Sequence, residues 1–557
     1  MRWSLPLLAI GLALYVSCQG APESVNSSSP LYVGDVVCQS CHADISRAYA
    51  STWKAHSLLP ITPDIERIED FTQPAVYDPH LNLFYRAVWE DNSLVLYEYR
   101  RRGQDTIYLR KERLDFVIGS GHQTRSYLLW RNRFLYEAPL TWYALPRKWD
   151  LSPGYAEGRN SRFSREIQPS CLACHASGWV PIPWTYNRYE AVGGPLGCES
   201  CHGPGSLHVK NPSDSAYHWS RWHPLRQMDV CSRCHLEGIA VEKRSGWRPG
   251  DTLASYWAIF LPERPELGRF GIASHVERLL RSACYQKGGA TCSSCHNPHP
   301  LKPVPSYEAR CLSCHTKGCS NPTHPTTQCI TCHMPKGESS DIPHTRFTDH
   351  YIRVVRSSAP SPPVFQPRLL CATEPAPDSA LVGEAYLQWY SEENPAPWVL
   401  QEAVRILAHH GLPKAQAKAS LLKGQPQAGL LAAEKALGQD TTLQLLELYS
   451  YLLEMSGQFD KALKTWAELA RRAPAYPEAL FRWVVLAYQL KRLSAGEAYE
   501  RFQVLLREQP WNPQFHYNAA VVAGALGRLG EAKAHLQAAL RYDPDYKLAA
   551  EALNRLP

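Results

Sequence analysis

Two cysteines with two residues between them, and a histidine directly behind the second, recur seven times in this chain. The triplets are Cys38/Cys41/His42, Cys171/Cys174/His175, Cys198/Cys201/His202, Cys231/Cys234/His235, Cys292/Cys295/His296, Cys311/Cys314/His315 and Cys329/Cys332/His333. Chance would supply roughly 0.02 such triplets at this composition, so the repetition is built in. A structural zinc site pairs C-x-x-C with a second distant pair and has no use for a histidine fixed behind each second cysteine. A redox dithiol of the thioredoxin kind occurs once, at the start of a helix in a strand–helix pattern. Covalent haem needs this order of residues. Two thiols add to the two vinyl groups, and the adjacent histidine comes under the iron as its proximal ligand. The triplets predict seven covalent haem c groups.

A second axial histidine makes haem iron six-coordinate and suited to passing electrons, whereas an open position admits a substrate. Eleven histidines before residue 357 lie outside the triplets, and seven suffice to close every haem. His208 in "CHGPGSLH" and His299 in "CHNPH" rank first. Each sits just beyond its own triplet, on the wrong side of its own haem, and so is expected to reach a neighbouring one. His56, His275, His324, His344 and His350 follow as distal candidates, with His80, His122, His218 and His223 in reserve.

Four cysteines remain: Cys18, Cys284, Cys319 and Cys371. Cys18 closes the apolar run "LPLLAIGLALYVSC" behind Arg2, a run too short to span a bilayer and read as a signal sequence over 1–18. Val16 and Ser17 resemble a bacterial lipobox, with Tyr15 atypical, and "SVNSSSP" reads as a tether over 19–31. The expectation is an exported lipoprotein held to a membrane by a lipid on Cys18, on the outer side of the cytoplasmic membrane or on the outer membrane. Ordinary cleavage nearby, giving a soluble periplasmic protein, is the alternative. Export suggests a disulfide between Cys284 and Cys319, and leaves Cys371 without an account.

The formal charge of +7 does not mark a nucleic-acid binder. Two propionates against one net positive ferric core give each haem about −1, so seven haems cancel the excess. Arg100, Arg101 and Arg102 read as a solvated face.

These groups must be positioned by an unusual fold. Residues 32–356 hold every triplet, and there the porphyrins replace much of the apolar core, so structure should be sparse, irregular and helical. Between His42 and Cys171, "LNLFYRAVWEDNSLVLYEY" alternates with period two and breaks at Asp91-Asn92, predicting a β-hairpin in a small β-rich insertion at about 75–145. "FGIASHVERLLRSACY" has helical spacing and puts His275 on a helix. Residues 357–379, rich in proline, read as a linker. From 380 to 557 the chain is Ala/Leu/Glu-rich with a period near 34, with Asp440, Pro474, Pro510 and Pro544 closing units and Ala462, Ala498 and Ala532 at one shared position. This predicts an all-α tetratricopeptide solenoid whose groove takes a peptide or partner protein. His409, His410, His516 and His535 read as surface or packing residues.

The phrases "YVGDVVCQSCH", "FVIGSGHQTRSYL", "WDLSPGY", "CESCHGPGSLH", "CSSCHNPH" and "CITCHMPKGESSDIPHTRFTDHYIR" resemble bacterial multihaem c-type cytochromes of the cytochrome c554 type that carry a tetratricopeptide tail. The resemblance implies an exported protein with stacked haems, with distal histidines at His56, His208, His299, His344 and His350. A more distant likeness reaches hydroxylamine oxidoreductase and pentahaem nitrite reductase, but no C-x-x-C-K motif is present.

Two functions fit. One is an electron carrier passing charge along closely packed haems to a redox partner, another cytochrome or a membrane complex, with the repeats docking a protein. The other is an oxidoreductase acting on a small nitrogen or sulfur compound at one open haem. Plentiful ligands and the lack of a catalytic signature favour the carrier.

Overall fold

Alternation in the first long gap between triplets produces the expected hairpin. Strands Leu83–Glu90 and Ser93–Arg102 pair antiparallel with Glu90 opposite Ser93, and Asp91 and Asn92 turn the chain at φ 45° and 62°, as a tight two-residue turn requires. The computed structural model describes residues 31–213, 219–263, 271–301, 306–317, 319, 328–354, 366–439 and 441–556. Val76–Asp78 and Asp105–Arg113 flank the hairpin in a four-stranded sheet. A second, six-stranded sheet joins Leu58–Pro60, Phe116–Ile118, Thr124–Arg131, Phe134–Tyr143, Lys148–Leu151 and Arg165–Glu166. Leu83, Tyr85 and Leu96 of the first sheet share one core with Tyr127, Leu129 and Trp142 of the second. The β region is therefore larger than the small insertion expected over 75–145. Its outer strands are too short to show a period, and they become strands through distant partners, Leu58 opposite Ile118 and Arg165 opposite Glu137.

The proline-rich stretch is also more than a linker. Leu369–Cys371 forms the third strand of a sheet with Ile239–Glu242 and Trp257–Pro262, Cys371 lying opposite Phe260. Its thiol sits 3.4 Å from Thr373 Oγ1 and packs on the first helices of the C-terminal half, which gives Cys371 a structural place.

Helices run from Ser379–Glu392 to Lys547–Arg555, each packed on the next. The clearest units are Leu443–Met455 with Phe459–Arg472, Pro477–Gln489 with Ala495–Glu508, and Pro513–Ala525 with Leu529–Tyr542. Pro477 and Pro513 open helices at the first turn, where a missing N–H costs nothing. Ala462, Ala498 and Ala532 are all buried in the cores between neighbouring helices. This is a tetratricopeptide-like solenoid. His516 and His535 face each other across the last unit, their Nδ1 atoms 3.1 Å apart.

The solenoid is fastened to the β-rich half rather than hung from it. Arg188 donates to Ala475 O (2.9 Å) and Glu508 (2.5 Å), and Tyr186 donates to the buried Glu447. Arg100 makes a two-pronged pair with Asp545, Arg110 donates to Tyr542 O, and Trp511 packs edge-on to Phe134 and Tyr136. Among the described residues no helix is long and apolar enough to cross a membrane. The signal sequence, Cys18, the tether up to residue 30, His218, His324, residues 357–365 and Asp440 lie outside the described residues.

Candidate haem-attachment centre

Each triplet occupies a helical turn. His42, His202, His296 and His315 donate their backbone N–H to the carbonyls of Cys38, Cys198, Cys292 and Cys311 at 2.9–3.0 Å. Pro169–His175, Pro224–His235 and Cys329–His333 are helical through their histidines. At this spacing residues i, i+3 and i+4 share one helix face, so two thiols and an imidazole project together, as one porphyrin requires.

The triplets lie side by side out of sequence order. The thiols of Cys38 and Cys198, of Cys174 and Cys234, and of Cys231 and Cys292 lie close enough to shift one another, while Cys38, Cys174 and Cys231 point their Sγ at the carbonyls of Gly34, Arg233 and Gln227. Cys201 neighbours Cys231, Cys295 neighbours Cys314, and Cys311 neighbours Cys329. The first and third triplets are locked by two carboxylates. Asp35 accepts from Cys198 N (2.8 Å), and buried Glu199 accepts from the N–H groups of Val33, Gly34 and Gly205. Gly197 permits this approach, since a Cβ there would stand 2.5 Å from the Asp35 carboxylate.

The attachment thiols are not equally enclosed. Cys41, Cys314 and Cys332 are exposed, whereas the other attachment cysteines are half-buried. The reason is local. The helices Asp35–Cys41 and Cys329–His333 are short and bury none of their residues. Each of these two triplets meets its neighbour through its first thiol, Cys38 against Cys198 and Cys329 against Cys311. The second thiol, Cys41 or Cys332, is left on the solvent side.

Three attachment histidines face a second histidine in nearly parallel planes. His42 and His208 are 6.2 Å apart between ring centres at 16°, His202 and His299 6.0 Å at 16°, and His296 and His350 6.1 Å at 26°. Two metal–nitrogen bonds of about 2 Å, plus about 1.1 Å from each nitrogen to its ring centre, require about 6.2 Å. The three pairs stand at about that separation. Burial favours the neutral, ligating form at five imidazoles. It pushes His202 down to about 4, helped by His299, His42 and His208, and lowers His175, His296, His299 and His350. Backbone carbonyls fix the tautomer at His56, His333 and His350, whose Nδ1 atoms bond Thr52 O, Arg353 O and Thr348 O, leaving Nε2 for a metal. Next to His350, Asp349 forms a buried ion pair with Arg278 (2.6 Å).

The remaining expected ligands stand differently. His275 opens the helix His275–Leu280 and lies edge-on to both His235 (5.0 Å) and His350 (4.7 Å). His56 sits on the turn Trp53–His56, and the next residue, Ser57, donates to His175 O. His344 is turned to the β-rich half, with Nε2 2.9 Å from Asp150 Oδ2 and its ring on Tyr143. Of the reserves, His122 stacks on Trp53 and His223 caps the helix of the fourth triplet. Cys284 and Cys319 are both half-buried. Two features escaped a search confined to histidines and cysteines. One is the carboxylate lock of Asp35 and Glu199. The other is Lys54, whose Nζ lies 3.0 Å from His235 Nε2.

Residues 152–203, which include the second and third triplets, match the family described as cytochrome c554 and c-prime. The multiheme cytochrome MtrA of Shewanella baltica (strain OS185) is 27% identical over 202 residues, covering 30% of this chain and 57% of MtrA. Among solved structures, MamA from Desulfovibrio magneticus RS-1 is 15% identical with a TM-score of 0.25, over 26% of this chain and 81% of that one. The tetratricopeptide protein YrrB is 19% identical with a TM-score of 0.27, over 31% of this chain and 92% of that one.

Proposed function

We propose that this chain, a multihaem c-type cytochrome with a tetratricopeptide region, is an exported electron carrier holding seven haems in one connected array. The observation that carries this reading is the set of three parallel histidine pairs at the separation one iron requires. Bound haem supplies a reversible one-electron iron couple whose potential is set by axial ligand and burial. The chain's part is to anchor each porphyrin through two thiols, keep both axial imidazoles neutral, and bring successive attachment turns into contact. On this reading His208 closes the haem of His42, His299 that of His202, and His350 that of His296. His56, His275, His324 and His344 are candidates for the others. The thiol neighbours define a path from the first triplet through the third, fourth, fifth and sixth to the seventh, with the second branching from the fourth.

Residues 184–188 already occupy part of the helical stack, so a redox partner, another cytochrome or a membrane complex, docks on its remaining surface. A lipid on Cys18 would hold the array at a membrane. The test is the intact mass of the exported protein with a pyridine haemochrome assay. Seven haems per chain is expected. Fewer, with free thiols at a triplet, would contradict the array.

A further inference from the structure

We infer that Lys54 supplies the second axial nitrogen to the haem carried by Cys231, Cys234 and His235. The inference rests on the haem reading and goes beyond it, because it assigns an amine where only histidines were expected. Nε2 is the ring nitrogen that an attachment histidine turns to the iron, and Lys54 Nζ is the atom directly against it, at 3.0 Å. Two metal–nitrogen bonds need about 4 Å between the nitrogens. A four-carbon stem can withdraw by that margin.

The backbone that carries Lys54 is pinned on both sides. Thr52 Oγ1 donates to Tyr49 O, and Tyr49 OH donates to Leu196 O, beside the third triplet. Ser57 donates its hydroxyl to His175 O, accepts from Leu196 N on that oxygen, and accepts from Gly119 N on its carbonyl. Trp53 is stacked on His122 at 4.7 Å. So anchored, the ammonium's charge lowers the thiols of four different triplets, Cys174, Cys201, Cys231 and Cys292. Among the described residues Lys54 makes no ion pair with a carboxylate. Lys54 is exposed, yet its amine stands on a ring nitrogen of an attachment histidine. Ligation forms one dative bond: the ammonium gives a proton to water, its lone pair goes to iron, and no electron is exchanged. His275, edge-on to His235 and closer still to His350, then packs between two haems and does not ligate the fourth.

The experiment uses full-length holoprotein with Lys54→Ala, Lys54→Arg and His275→Ala, each checked for seven haems and for a haem on the peptide of the fourth triplet. Low-temperature EPR and near-infrared magnetic circular dichroism of the ferric protein read the axial ligands. Wild type should show one amine–imidazole haem in seven. Both Lys54 variants should turn that haem high-spin and open to cyanide, since arginine keeps the charge but cannot ligate, and His275→Ala should leave its signal in place. A silent Lys54→Arg would reduce Lys54 to a charge partner, and loss of the signal in His275→Ala would assign the ligand to His275. Either overturns the inference. If the Lys54 variants do not fold, the wild-type spectrum decides, because seven haems without an amine–imidazole signal contradict it. A fourth-triplet peptide lacking haem would instead defeat the seven-haem reading.

Discussion

His208 lies six residues behind the attachment histidine of its own triplet, yet its ring faces His42 of another. The short tether is the reason: a helical turn presents its ring to one side of its own porphyrin, and a residue just beyond it is free only to reach sideways. Which neighbour it meets depends on how the chain returns, and spacing carries no trace of that. The triplets were legible because their chemistry is local. Lys54 was not, because a lysine in "TWKAH" has no periodic or spacing signal and only folding sets it against His235. On this account His208→Ala turns one haem in seven high-spin while the haem count stays at seven, read by EPR beside a pyridine haemochrome assay. Asp349, the neighbour of His350 in sequence, is held by two arginines. Burial alone would raise its carboxyl, but hydrogen bonds from Arg278, the Tyr351 N–H and Arg353 hold it below the usual range. A depressed carboxyl stabilises the fold above its unfolded pKa and loses that contribution as pH falls through the folded value. Asp349→Asn leaves Arg278 buried without its counter-charge and should cost about 3–5 kcal/mol, with the acid-side loss of stability weakened, as melting curves from pH 3 to 7 would show.

At the level of elements, the hairpin at Asp91-Asn92 and the 34-residue helical period could be read directly, since each follows from a repeating pattern of burial. Leu58–Pro60, Arg165–Glu166 and Leu369–Cys371 could not, because strands of two or three residues are defined by their partners alone. The joint between solenoid and β region was equally silent. Trp184, Tyr186 and Arg188 lie in a loop without periodicity, yet Arg188 reaches Ala475 and Glu508 and stacks its guanidinium 4.6 Å from the centre of the Phe134 ring. Arg188→Ala removes a charge-assisted bond, a carbonyl partner and this stacking at once. It should loosen the joint by about 2–3 kcal/mol. Hydrogen exchange should then rise in Pro477–Gln489 and Ala495–Glu508, while the visible haem spectrum stays unchanged.

Across the whole molecule, the same joint buries acids that water would ionise. Burial, with Arg482 opposing it and Glu447, Glu454 and Glu166 adding to it, pushes Glu478 up to about 8, and burial with Glu447 pushes Glu166 up to about 7. A raised carboxyl holds a proton in the fold that the unfolded chain has already released. Stability is therefore full below the unfolded pKa and declines as pH rises towards 8, by up to about 1.4 kcal/mol per pH unit for each group. Glu478→Gln should remove its share, raising the melting temperature at pH 8 relative to wild type and leaving it nearly unchanged at pH 4. The account as a whole stands on closed haems, each held between two nitrogens and passing electrons without binding substrate. Its most direct test is an EPR spectrum of the oxidised protein with seven haems, with visible spectra before and after nitrite and hydroxylamine. Low-spin signals alone, unmoved by either compound, are the predicted result. A high-spin signal that vanishes when either is added would reveal an open iron and contradict the carrier.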